Sequence, residues 1–203
     1  MVSFSQLCLG ALFRPGVTFR YLAQYRHWRY AWGVIWLFSG LYYLLNIYLM
    51  VNQLLPNLPP LLATSAERFY TWQMLAGLPV IVLGWWLYAL VAWVTGQRLG
   101  GSGTIKGMAH SSAFSIFLPL IPTVWLSGTV LALTIPRSWS SGTPLPAPWD
   151  SLFLIALLLG AGWSLVTGTL AAREVLAVRG WKAFLASLAG VVAALGLFLV
   201  FLR

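Results

Sequence analysis

"LGGSGTIKGMAHSSAF", residues 99–114, is the stretch of this chain with the strongest resemblance to a chemical motif, and its reading decides the rest. Glycines, serines, a lysine and a histidine lie between two very apolar segments, an arrangement that a phosphate-cradling loop running into a helix would share. Such a loop ends in Gly-Lys-Ser/Thr, so that backbone amides, the lysine and the hydroxyl converge on phosphate oxygens. Here Ile105 precedes Lys106 and Gly107 follows it, so the pattern fails on both sides. What remains is a turn between two membrane helices. Gly100, Gly101, Gly103 and Gly107 permit the tight turn, Lys106 faces headgroup phosphate, and His110 opens the next apolar segment near the interface without an assigned partner.

Composition supports that choice. Of the 203 residues 60% are hydrophobic and only 7% charged, against about 25% charged in soluble domains, and the expected class is an all-α integral membrane protein. A span needs about 20 apolar residues. Five segments qualify, near residues 30–51, 72–94, 109–135, 151–172 and 183–202, with Pro119 and Pro122 expected to kink the third. The first apolar run is too long for a cleaved signal peptide and reads as a retained signal-anchor.

Twelve Lys and Arg face only three Asp and Glu, for a formal net charge of +9. Nine of the basic residues fall on one side of the five-span arrangement: Arg14, Arg20, Arg26 and Arg29 before the first span, Arg98 and Lys106 between the second and third, Arg173, Arg179 and Lys182 between the fourth and fifth. Arg68, Arg137 and Arg203 fall on the other. The positive-inside rule then places the N-terminus in the cytoplasm and the C-terminus outside. It also makes anionic lipid, rather than nucleic acid, the partner of these charges, at about 1 kcal/mol per basic residue near the surface. On the far side, residues 52–71 and 136–150 contain "PNLPP" and "PRSWSSGTPLPAPW", which stop helices.

Residues 1–29 read as an amphipathic segment of one or two interfacial helices and residues 30–203 as the transmembrane domain. Trp28, Tyr30, Trp32, Tyr70, Trp72, Trp149 and Trp181 gather near span ends as an interfacial belt. Trp36, Trp85, Trp86 and Trp163 lie deeper, as packing or lipid contacts. Small residues recur every four positions in the fourth span (Ala156, Gly160, Ser164, Gly168, Ala172) and again in the fifth (Ala186, Gly190, Ala194). Such ridges let helix backbones approach closely. The short connection favours packing of these two spans on each other, with contact to another subunit as the alternative.

Candidates for chemistry are few. Glu67, Asp150 and Glu174 sit at or beyond span ends, which leaves a proton relay without members. Glu174, beside Arg173, reads as an interfacial ion pair. Ser127 in "WLSGT" has Trp125 where an intramembrane serine protease has glycine, and His27 and His110 precede it rather than follow. Two distant histidines and a lone Cys8 make neither a metal site nor a disulfide. No catalytic residue, cofactor or metal is expected.

Three segments together resemble the Ypt-interacting-protein (YIP) domain family. "LFRPGVTFRYLA" at 12–23 is similar to its proline-phenylalanine segment before the first span. "LGGSGTIKGMAHSSAFSIFLPLIP" at 99–122 is similar to its Gly-Gly loop and third span, and "GWSLVTGTLAAREVLAVRGWKAFLASLAG" at 162–190 to its fourth span, basic loop and Lys-Ala opening of the fifth. The resemblance implies five spans with a cytoplasmic N-terminus and no established reaction. Eukaryotic members act in Golgi and endoplasmic-reticulum trafficking and bind Rab GTPases, with a longer N-terminal region bearing an acidic-aromatic motif. This more compact chain looks like the bacterial type, in the cytoplasmic (inner) membrane.

The leading expectation is a non-enzymatic, multi-pass scaffold or organising protein acting through helix and lipid contacts, with itself or other membrane proteins as partners. The alternatives are an accessory or assembly subunit docked through the aromatic first and second spans, and a lipid or small-solute transporter with Ser111, Ser112, Ser115 and Thr123 as a polar track.

Overall fold

The computed structural model describes residues 2–51, 66–134 and 147–201, and those residues are helical apart from short turns. The two proline-rich connections fall largely outside them, as do Arg137, Arg203 and the side chains of Glu67, Ser127 and Asp150. In chain order come α1 (Phe4–Phe13), α2 (Pro15–Gln24), α3 (Trp28–Val51), α4 (Ala66–Arg98), α5 (Ile105–Ser112), a π-helical turn (Ala113–Phe117), α6 (Leu118–Thr134), α7 (Ala147–Leu176) and α8 (Trp181–Phe201).

Among the described residues four helical stretches are long and apolar enough to cross a membrane: Trp28–Val51, Arg68–Arg98, Ile105–Leu126 and Trp181–Phe198. The fourth span expected from the sequence, residues 151–172, lies within α7, a helix of 30 residues. The third begins earlier than expected, at Ile105 rather than residue 109, because Thr104 caps it: the Thr104 hydroxyl accepts the Gly107 N–H at 3.1 Å.

The helices form one core, with α8 lying most extensively against α4. Its largest fully buried side chains include Trp85, Tyr88, Phe114 and Phe117, and it also takes in Leu7 and Ala11 of α1 and Phe19 and Leu22 of α2. The N-terminal 29 residues therefore share the interior of the spans. α1 has no charge between Phe4 and Phe13 and only Ser5 and Gln6 as polar side chains, so the more strongly amphipathic of the two helices is α2. A reciprocal Ser3–Gln6 capping box starts α1. Pro15, in the first turn of α2, lets the chain reverse directly after Arg14.

The hairpin is tight. A β-carbon on Gly10 would stand 2.5 Å from the Thr18 hydroxyl, so the two helices meet backbone to side chain there. Burial within this hairpin pushes the Cys8 thiol up from 9.0 to about 11. A raised thiol pKa favours the neutral form of the folded protein, so this contribution is complete below pH 9 and is lost as pH rises through 11. At pH 8 the Cys8 thiolate is about a hundredfold rarer than in an ordinary thiol. Maleimide labelling followed by mass shift should accordingly be slow in the folded protein and reach the ordinary rate only after denaturation.

Candidate functional site

Two polar arrangements stand out in this apolar molecule. One caps the basic end of the bundle, where α3, α5 and α8 begin and α4 and α7 finish. The other runs down the third span.

The cap is built from the glycine-rich loop. α7 ends at Leu176, leaving carbonyls without intrahelical donors, and the Ser102 N–H donates to the Leu176 carbonyl at 3.0 Å. This approach requires glycine: a β-carbon on Gly103 would overlap the Val175 carbonyl oxygen and lie 2.8 Å from Leu176 Cα, and one on Gly101 would lie 2.7 Å from the Leu176 oxygen. The Gly103 carbonyl in turn accepts Trp93 Nε1–H (3.0 Å) and Gln97 Nε2–H (2.9 Å). Lys182 Nζ donates to the Leu99 carbonyl at 3.0 Å, so this cation secures the same loop.

Seven further basic residues of the chain segments at this end are open to solvent. Arg14, Arg20, Arg26, Arg29, Arg98, Lys106 and Arg179 are exposed. Arg26 Nη2 donates to the Thr104 hydroxyl at 3.0 Å. Glu174 accepts two bonds from Arg173, at 2.8 and 3.1 Å, and lies 3.5 Å from Arg20 Nε, which ties α2 to the end of α7. Arg20 is largely solvated, so this contact orients more than it stabilises.

Below the cap lies His110, fully buried. Its Nε2 accepts the backbone N–H of His27, the residue preceding α3, at 2.9 Å. A side chain of α5 thus caps α3, and the partner left unassigned by the sequence is a main-chain donor. Because Nε2 accepts, the proton of the neutral ring sits on Nδ1. Trp28 and Phe114 enclose the ring edge-on at 5.8 and 5.9 Å, and His27 Nε2 bonds to the Tyr21 hydroxyl at 3.0 Å, extending the connection to α2. Replacing His110 with leucine keeps the volume but strands the His27 N–H, which should cost about 1–3 kcal/mol. Thermal unfolding in detergent should show it, with His110→Asn, which can still present an acceptor, losing less.

The polar seam joins the third span to α7. Pro119 has no N–H to give the carbonyl four residues back, Ser115. Thr167 Oγ1 donates to that carbonyl at 2.6 Å, and Ser164 Oγ donates to the Ile116 carbonyl at 3.0 Å. Further along, Thr123 Oγ1 donates to the Ala156 carbonyl at 3.3 Å. The π turn, closed by Leu118 N–H to the Ala113 carbonyl, sits directly before Pro119, where local widening accommodates the altered bonding. Thr167→Val should lose about 1–2 kcal/mol, near the upper end for an interhelical bond because it strands the Ser115 carbonyl. Thr167→Ser should recover most of it in the same melt.

Of the four hydroxyls expected to form one track, two turn to different interfaces. Ser112 turns to α4, accepting Trp85 Nε1–H at 3.0 Å, while Thr123 turns to α7. Ser111 and Ser115 are fully buried, and their hydroxyls and His110 Nδ1 have no hydrogen-bond partner among the described residues.

The small-residue ridges are also divided. Gly160 lies against Thr123, and Gly168 against Ser187, Tyr88 and Ile116. Gly190 of α8 lies against Tyr88 of α4. Ala186 and Ala194 are buried as well. Of the deep tryptophans, Trp85 is buried and Trp86 stacks on Trp28, whereas Trp36 and Trp163 face outward. Thr167 and the Tyr88–Ser187 pair carried no assignment from the sequence, and Trp85, expected there as a packing or lipid contact, is also a hydrogen-bond donor; only Pro119 offered a signal, by implying a stranded carbonyl.

No curated protein and no solved structure matches the chain. The family model described as the Yip1 domain matches residues 9–202, a region holding the cap, the seam and most of the hairpin.

Proposed function

We propose, from the premise that the chain belongs to the Yip1 domain family, that it is a five-span, non-enzymatic organiser of the bacterial cytoplasmic membrane, acting through helix and lipid contacts. The family is a family of membrane proteins and is not a known enzyme family. α7, about 45 Å long at 1.5 Å per residue, supplies the fourth of the five spans, and an odd number of spans puts the N-terminus and the C-terminus on opposite sides. With the basic end in the cytoplasm, the exposed arginines and Lys106 meet anionic headgroups.

One observation carries the non-enzymatic reading. The hydrogen bonds of the span interiors serve helix contacts: Trp85 with Ala109 and Ser112, Tyr88 with Ser187, Ser164 and Thr167 with the third span. Polar groups committed to holding backbones together are not poised for a substrate.

Topology is tested by single-cysteine labelling with an impermeant maleimide in a Cys8→Ser background. Arg98→Cys and Arg179→Cys should react only after the membrane is opened, and Arg203→Cys before. The opposite pattern, or reaction of all three from one side, overturns it. The organising role predicts co-purification of lipid or of a membrane protein in mild detergent, and a bare monomer counts against it.

A second reading, the accessory subunit, is favoured by the outer face of α3, where Trp36, Leu37, Tyr43 and Leu44 are exposed. Native-gel migration with a large complex, abolished by Trp36→Ala, would select it.

A further inference from the structure

We infer that the α1–α2 hairpin is inserted into a single leaflet, its outer apolar face among the acyl chains of an anionic leaflet and its arginines at the headgroups. This rests on the membrane-spanning reading above. At 10 residues, α1 is about 15 Å long, half the hydrocarbon thickness, so it enters without crossing.

Its depth follows from its neighbours. Phe4 lies beside Gly33 and meets the Tyr30 ring at 5.6 Å, and α1 touches both the π turn and α6. The π turn starts about 12 Å below Ile105 at 1.5 Å per residue, so the hairpin reaches well past the headgroups.

Beyond Ser5 and Gln6 in the first turn of α1, the face that it turns outward is apolar. Leu9 is 57% exposed, Phe13 77% and Val17 70%, while Leu7 and Ala11 on the other side enter the core. Charge selects the leaflet: Arg14 stands at the hairpin turn, and Arg20, Arg26 and Arg29 follow. Among the described residues Arg14 and Arg29 make no ion pair, and the Glu174 carboxylate is already held by Arg173. Apolar residues flanked by unneutralised arginines fit an anionic interface better than a protein groove.

Spin labels at Leu9→Cys, Phe13→Cys, Trp36→Cys and Tyr25→Cys, each in Cys8→Ser protein reconstituted into phosphatidylcholine vesicles containing phosphatidylglycerol, test this. These sites are exposed, so the core is undisturbed. Labels at 9 and 13 should collide with oxygen and be shielded from a water-soluble nickel chelate, as at 36, while the label at 25 meets the chelate. Adding Arg14→Gln and Arg20→Gln should raise chelate access at 13 several-fold, and an unchanged value overturns the role of the arginines. Chelate access at 9 and 13 with 36 still shielded overturns the insertion alone. Chelate access at 36 as well removes the membrane-spanning reading beneath it. Labels at 9 and 13 shut off from both reagents would mean that protein covers the face, and the insertion falls.

Discussion

Gly103→Ala should be among the most damaging single substitutions in the molecule, although it adds one methyl group to a loop. That methyl would overlap the Val175 carbonyl oxygen, and it is backbone on both sides that would have to move. Overpacking of this kind costs about 1–3 kcal/mol when side chains can adjust. Here they cannot, and the displaced loop also forfeits Ser102 to Leu176 and the two bonds to the Gly103 carbonyl. A loss of about 3 kcal/mol or more is expected. In detergent the variant should melt far below the parent, with the loop open to protease before the spans unfold. Gly162→Ala, a helical position with open space around it, should leave the melting temperature unchanged, separating the close approach from any general intolerance of alanine for glycine.

Trp85→Ala should cost about 3–5 kcal/mol, the range for removing a large buried aromatic side chain. Trp85 is fully buried, with Trp32 edge-on at 5.0 Å and Trp86 and Trp28 at 5.7 and 6.3 Å. Its Nε1–H reaches the Ala109 carbonyl at 2.7 Å and the Ser112 hydroxyl at 3.0 Å. Trp85→Phe keeps most of the volume and loses the donor, so it should cost about 1–2 kcal/mol. The difference between the two variants, read as thermal midpoints under one detergent condition, separates packing from hydrogen bonding. If Trp85→Phe were as damaging as Trp85→Ala, the hydrogen bond rather than the ring volume would be what joins α4 to α5.

What the sequence made legible is whatever depends on hydrophobic length. Charge-free apolar runs mark α3, most of α4 and α8, and the glycine-rich stretch marks the turn before α5. The local chemistry was less visible because its partners are main-chain atoms, which leave no residue signature. His110 finds a backbone N–H and Thr167 a backbone carbonyl, so no pairing of residue types announced either contact. The division of labour within the hairpin was less legible for another reason: the arginines lie only at residues 14–29, while α1 itself contains none. Small residues at four-residue spacing announced close approach of the last two helices, and Gly168 of α7 does lie against Ser187 of α8, but Gly190 of α8 seats Tyr88 of α4, a partner the spacing did not announce.

The N-terminal hairpin also gives the molecule a shape. Among the described residues, α1 and α2 add two helical cross-sections at the basic end without a counterpart at the opposite end. Each helix with its side chains is about 10 Å across, so a hairpin inserted as inferred above gives one leaflet a broader body to accommodate than the other. A bilayer relieves that mismatch by bending with the crowded leaflet on the convex side. Arranged this way, the protein is a wedge, and it should gather on tightly curved membrane whose convex face meets the basic end.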